Sequence, residues 1–308
     1  MMEGSHNIRY LTHNEIDKEK WDNRISDSNN GLIYAYSFYL DNMADKWDAL
    51  VMNDYEVIMP LSWRKKYAIR YLYQPFLSAQ LGVFGNKLSA GTLELFLRQI
   101  PFHFKYWDIY FNHQNVFPVN GFDLYLRSNY ILDLEKPYEV LYSSYRENIK
   151  RNIRKCIQYG CSAEKDFEAE KVITLATQQM KIKDKETDDN INRFRKLYKL
   201  LHEKGMASTY GIFSAQKELL ASAIFFYSHN RAYYILVGNH PNGKTIGASH
   251  SLIDAFIKDH AGKKMLLDFE GSDIRNLAFF YSSFGAIEEK YAAIRLNRLP
   301  FYLKWLKK

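Results

Sequence analysis

The chain has 308 residues, of which 47% are hydrophobic, and its 42 Lys+Arg exceed its 35 Asp+Glu by a formal net charge of +7. Seven Pro and 15 Gly are too few for long disordered tethers or a collagen-like repeat, and the apolar content is enough to bury real cores. At roughly 150 residues per domain the length suits two domains.

The chain opens on Met1-Met2-Glu3-Gly4-Ser5-His6-Asn7, with no apolar h-region of a secretory signal. No apolar run reaches the ~18 residues a transmembrane helix needs, so a soluble, cytoplasmic protein without transmembrane association is expected. Strand character begins at Asp48–Met52 and Glu56–Trp63, joined by the polar turn Asn53-Asp54-Tyr55, and continues at Tyr67–Tyr73. Pro75 breaks the pattern because it lacks a ladder donor. Leu93, Phe96 and Leu97 mark a helix from Ser89 to Gln99, and Tyr106–Phe111 reads as another strand. Tyr130–Leu134 is strand-like, Glu135-Lys136-Pro137 is a break, and Tyr138 to Tyr159 reads as one helix with Ile149, Ile153, Cys156 and Ile157 on its apolar stripe. Cys156 and Cys161 are too far apart for a CxxC pair and too few for a secreted disulfide framework. Residues 162–197 are charged and polar, either a surface loop between helices or a lid. Two strands, Leu219–Tyr227 and Arg231–Gly238, flank the turn Ser228-His229-Asn230. A loop from Asn239 to Ile246 then leads to a helix over Ala248–His260 and a strand over Met265–Glu270. Strand, turn, strand, loop, helix, strand thus occurs twice, at 48–111 and 219–270, which implies two similar α/β units with mixed sheets.

The charge is concentrated. Residues 141–160 carry Arg146, Lys150, Arg151, Arg154 and Lys155 against Glu147, a net +4, and residues 295–308 carry five basic residues and no acid, leaving −2 for the rest. This pattern points to local anion contacts rather than a general nucleic-acid coat. The tail from Pro300 places Leu299, Leu303 and Leu306 on one stripe, which suits a docked terminal helix better than a membrane-surface anchor.

The run from Asp133-Leu134 through Tyr145-Arg146-Glu147-Asn148-Ile149-Lys150-Arg151-Asn152-Ile153-Arg154-Lys155 resembles the centre of Fem-type (FemABX-like) transferases, duplicated members of the GNAT superfamily. The later Gly247-Ala248-Ser249, Leu267-Asp268-Phe269-Glu270-Gly271 and Phe284-Gly285 resemble the helix start, strand end and closing motif of the same family. The resemblance implies two tandem GNAT-like acyltransferase units of mixed α/β sheets, 1–137 and 138–308. The second would carry the acyl-donor site. It further implies transfer of an acyl group from acyl-CoA, acetyl-CoA first, to an amine of a small-molecule or peptide-like acceptor, without a metal. The alternatives are a Fem-like ligase that takes aminoacyl-tRNA to a peptidoglycan precursor, and a silent binding protein that keeps the fold.

Acyl transfer needs an anchor for an anionic donor, a deprotonated amine, an oxyanion donor and an acid for the leaving group. Lys244-Thr245-Ile246-Gly247-Ala248-Ser249 lies where GNAT enzymes hold a pyrophosphate, with Lys244 and Ser249 departing from the family's outer residues; it is either that anchor or a plain turn with Ser249 as helix cap. Asp268 and Glu270, two apart on a strand, would share one face and take the amine proton, or else cap a helix or pair with a cation such as Arg275. Tyr281 keeps the family's Tyr-to-Gly spacing to Gly285 and stands where Fem-type ligases often carry Lys, which favours a thioester donor. It is either the acid for the departing thiolate or a packing residue among Phe279, Phe280 and Phe284. Tyr145, Arg146 and Arg151 are the substrate-binding candidates of the basic helix, whose charge otherwise forms a solvated face. No HExxH, GxSxG or Walker A loop occurs, and the adjacent Ser249 and His250 cannot form a nucleophile–base pair on a helix.

Overall fold

The computed structural model describes residues 7–180, 185–271 and 273–301. Lys304, Lys307, Lys308 and the Leu303–Leu306 stripe, together with residues 181–184 of the polar stretch, lie outside the described residues. Contacts divide the chain into one unit of residues 1–127 and 290–308 and a second of residues 128–289. The last strand is thus grouped with the first unit, whereas the expected division assigned everything after 137 to the second.

The first unit runs β1 (Ile8–Leu11), α1 (Lys18–Asp27), α2 (Ser37–Met43), β2 (Lys46–Met52), β3 (Val57–Lys66), β4 (Ile69–Tyr73), β5 (Phe84–Gly85), α3 (Ala90–Gln99) and β6 (Phe104–Tyr110). β1, β2, β3 and β4 are successive antiparallel neighbours, β5 pairs with β3, and β6 lies parallel to β4. The crossover to a parallel neighbour is made by α3, as such connections require. Ser89 caps that helix by accepting from the Thr92 N–H at 3.1 Å, and Leu93, Phe96 and Leu97 are buried as their spacing predicts. β3 turns into β4 through Tyr67 and Ala68, both at positive φ (49° and 64°). Such a two-residue turn is normally filled by Asn-Gly, and a bulky residue there is strained.

The second unit runs β7 (Leu124–Asp133, shared with the first unit up to Arg127), α4 (Tyr138–Ser143), α5 (Glu147–Gln158), β8 (Ser162–Lys165), α6 (Ala169–Gln179), α7 (Lys185–Glu203), β9 (Ala207–Phe213), β10 (Leu219–Ser228), β11 (Arg231–Asn239), α8 (Pro241–Ile246), α9 (Ala248–His260), β12 (Leu266–Asp268) and α10 (Arg275–Ser282). Its strand order is β7-β12-β11-β10-β9-β8, with β12 parallel to β11 and the rest antiparallel. β13 (Ile287–Asn297) follows, and its residues 293–297 pair antiparallel with β6. Both units therefore share three antiparallel strands, a helical crossover and a parallel fourth strand. The repeat is longer than the sequence pattern revealed, because β4 and β9 are its third members. Among the described residues no helix is long and apolar enough to cross a membrane.

Four expectations change. The helix over 138–159 is two helices, broken where the Ser144 hydroxyl donates back to the Leu141 carbonyl and the Arg146 N–H turns away to the Ser283 carbonyl at 2.9 Å. Residues 162–180 and 185–197 are regular structure, β8, α6 and the start of α7, rather than loop or lid. The loop after Asn239 contains α8, started by Pro241 in its first turn and by His240 Nδ1 accepting from the Asn242 N–H. Ile157, expected on the apolar stripe of α5, faces solvent.

The core of the second unit lies between the sheet and α5 and α9, where fully buried Phe225 stacks on Phe256 at 3.8 Å. Phe225→Ala is expected to lower unfolding free energy by about 3–5 kcal/mol, read from the urea midpoint.

Candidate functional site

The site begins where two parallel strands stop pairing. β11 and β12 are matched at Arg231↔Leu266, Ala232↔Leu267 and Tyr233↔Asp268, and there the ladder ends while β11 runs on to Asn239. On its other side the β10–β11 register shifts between Ile224 and Phe225, leaving Ile235 as an extra residue. Such a bulge bends a strand and increases its twist. Beyond it the outer edge of β11 turns away from β12. Buried Phe269 fills the base of the gap, stacked on Tyr281 at 4.4 Å and edge-on to Tyr234 at 6.0 Å. Above it lies a cavity of about 470 Å³, lined by β11, the α8–α9 junction and α10.

Gly247 forms that junction. It ends α8 and starts α9 at φ +81°, and a Cβ there would lie 2.7 Å from the Asn152 backbone oxygen of α5. Only glycine allows both the left-handed turn and this approach. α9 starts without a side-chain cap: Ser249 donates to Asn239 Oδ1 instead of capping its helix. Uncapped N–H groups and the helix dipole make this a favourable place for phosphate oxygens. Lys244 lines the same cavity, and Lys155 reaches across from α5 to the Thr245 carbonyl at 2.7 Å.

Beside Lys244 and Tyr234, the cavity's titratable groups include Tyr281 and His250. Tyr281 is buried in α10 and has no hydrogen-bond partner among the described residues; burial, with help from Glu270, pushes its hydroxyl up to about 12, so it stays protonated at neutral pH. Burial pushes His250 down to about 4, leaving a neutral ring packed edge-on to Phe280 at 5.0 Å. His250, Phe280 and Tyr234 carry no motif. The only signal was that His250 and Ser249 sit in the first turn after Gly247, and both line the cavity without forming a dyad.

Lys244, Gly247, Ser249 and Tyr281 therefore converge on one cavity. The other predicted residues divide. Thr245 and Ile246 complete α8, with the Thr245 hydroxyl donating to the Asn242 carbonyl, and Ala248 is fully buried. Asp268 and Glu270 do not share a strand face, because β12 ends at Asp268 and Glu270 turns off at φ +60°. Both Asp268 oxygens are engaged, one by Arg231 Nη1 at 2.7 Å and one by the Glu270 N–H at 2.8 Å. Its partner is Arg231 rather than Arg275. Arg231 in turn grips Glu289 with both guanidinium nitrogens, at 2.9 and 3.0 Å. Tyr145 is buried in the core against Tyr142 and Phe284, which removes it from direct contact with a substrate. Arg146 lies over the Phe279 ring at 4.6 Å, and Arg151 is exposed on α5 one turn before Lys155.

Parted parallel strands, a glycine-gated helix start and a protonated tyrosine across the gap are the parts of an acyl-transfer fold. Residues 143–273 match the acetyltransferase (GNAT) domain family. Tyr281 lies just beyond that segment. The whole chain is similar in structure to FemX (13% identity, 97% of this chain and 99% of that one, TM-score 0.65). It is also similar to a conserved protein of unknown function from Bacteroides thetaiotaomicron (12%, 90% and 96%, TM-score 0.58) and to L-PGS from Bacillus licheniformis (11%, 94% and 94%, TM-score 0.54). At these identities the likeness speaks for a shared Fem-type fold. No curated protein sequence matches the chain.

The unfolded chain binds a proton at His250 near pH 6.5 that the folded chain refuses until about pH 4. Stability is therefore expected to fall by up to ~3 kcal/mol as pH drops through that window. His250→Gln should flatten this part of the slope, as read from denaturant unfolding at stepped pH.

Proposed function

We propose that the second unit binds an acyl-CoA, acetyl-CoA first, and transfers its acyl group to the amine of a small-molecule or peptide-like acceptor. One observation carries the reading: Tyr281, without a hydrogen-bond partner and held protonated, shares a cavity with the Gly247 helix start. The helix start, Lys244 and the cationic side of α5, including Arg151, take the donor's phosphates. The open edge of β11 beyond Tyr233 offers backbone groups to the donor's amide-bearing arm and to the thioester oxygen as it gains charge. The neutral amine attacks the thioester carbon, a C–N bond forms and the C–S bond breaks. Tyr281 gives its proton to the leaving thiolate, and the amine's surplus proton passes to Glu270. Asp268, already engaged by Arg231, contributes by holding the Glu270 turn.

Tyr281→Phe is expected to lower kcat by about 10²-fold while donor Kd stays within about twofold, measured by a thiol-release assay and calorimetry. Gly247→Val should weaken acyl-CoA binding by at least about tenfold, through the left-handed turn and the contact with Asn152. Failure of every CoA ester to bind, with saturable binding of charged tRNA, would replace this reading by the Fem-like aminoacyl-tRNA ligase.

A further inference from the structure

One end of the first unit's sheet collects cations and exposed aromatic rings. The β3–β4 turn, the start of β6 and the exit of β13 meet there: Lys66 pairs with Ile69, Arg70 with Phe104, and the Arg298 N–H donates to the Lys105 carbonyl at 2.8 Å. Tyr67 at the turn is 77% exposed and Phe102 is 69% exposed, each with a lysine over its ring, Lys66 at 5.5 Å and Lys105 at 3.4 Å. Phe301, just past Arg298, is 85% exposed. Lys46, Lys65 and Arg70 add to the charge at the same end. The neighbouring acids are already engaged: Asp45 by Arg64, and Asp48 by the Tyr10 hydroxyl and the His13 N–H. Tyr67 is held at the tip in a left-handed conformation that tyrosine disfavours, so local preference does not explain its place.

We propose that this end of the first unit docks on the surface of an anionic phospholipid bilayer. Rings that project beyond the strand ends suit the headgroup boundary, where aromatic side chains sit with an apolar body and a polar rim. The surrounding lysines and arginines meet the lipid phosphates, each strengthening attraction to an anionic leaflet. A single-stranded nucleic acid is the poorer fit: bases stack on aromatics lining a groove, and these rings stand on turns past the strand ends. Attraction of this kind is reversible and weakens as salt rises. The surface is remote in sequence from the residues assigned to acyl transfer, and the inference stands independently of that assignment.

The test is sedimentation of the full-length protein with vesicles of phosphatidylcholine alone or of equal parts phosphatidylcholine and phosphatidylglycerol, with and without bulk tRNA. Binding to the anionic vesicles only, resistant to tRNA, is expected. Phe102→Ser and the pair Lys66→Glu, Lys105→Glu should each reduce that partitioning at least about tenfold. All the substituted side chains are partly or largely exposed, and unchanged thermal melting of the variants shows the fold intact. A fold-disrupting variant is replaced by Phe102→Ala, from which the same loss is expected. Absence of vesicle binding, equal binding to neutral vesicles, undiminished binding by folded variants, or displacement from vesicles by tRNA would each overturn the proposal.

Discussion

The second unit depends on one buried ion cluster. Arg231, at the first residue of β11, holds Asp268 at the last residue of β12 and Glu289 near the start of β13, while the Asn129 amide of β7 donates to Glu289 at 3.1 Å. Burying a guanidinium and its carboxylate is expensive, and such clusters add little net stability over an apolar filling of the same volume. What this one supplies is position. It ties four strands at the level where β11 and β12 have three matched residues, and Asp268 uses its second oxygen to turn the chain off the strand at Glu270. The point at which the sheet opens is thereby tied to a charge pair as well as to the general twist of the strands.

Everything above that point follows from the opening. Once the ladder stops, Phe269 packs against both Tyr234 and Tyr281, two residues of the cavity lining. The α8–α9 junction closes one wall, and α5 can press against it only because Gly247 has no Cβ. The same burial that stabilises this packing sets the chemistry, since it raises the Tyr281 hydroxyl and lowers His250, leaving two uncharged polar groups at an apolar cavity wall. The cavity thus combines positive charge at the helix start with neutral polar groups in its lining.

The parts legible in the sequence were those set by local rules. Helix α3 came from its apolar spacing and Ser89, and the hairpin turns came from short polar runs. Tyr281 and Gly247 could be singled out from their spacing to neighbouring residues, and the fold brings both to one cavity. What escaped depended on partners distant in the chain. Asp268 could be given only a nearby cation such as Arg275 as an alternative to proton transfer, because nothing local names Arg231, 37 residues away, as its counter-ion. Tyr145 looked available to a ligand because it sits in a basic run, yet the break between α4 and α5 points it into the core. The polar stretch before β9 reads as loop or lid because charged and polar residues dominate it, although α6 buries Val172, Ile173, Leu175 and Ala176.

The two units test how far the shared architecture carries the chemistry. In the first unit the parallel pair β4–β6 continues from Arg70↔Phe104 to Tyr73↔Asp108, with a register shift after Arg70 that leaves Lys105 extra, and a further parallel bridge joins Leu81 to Phe111. The Tyr110 N–H at the end of β6 is then taken by Gln74 Oε1, just past β4. Helix α3 likewise begins with its cap already made by Ser89, where α9 begins with uncapped N–H groups behind Gly247. The same order of strands and helix therefore lies beside this cavity where the ladder ends early and the helix start has no side-chain cap. The scaffold occurs twice; an early strand ending and a glycine at the helix start occur together in the second unit. That asymmetry leaves the first unit free to present its sheet end to another surface.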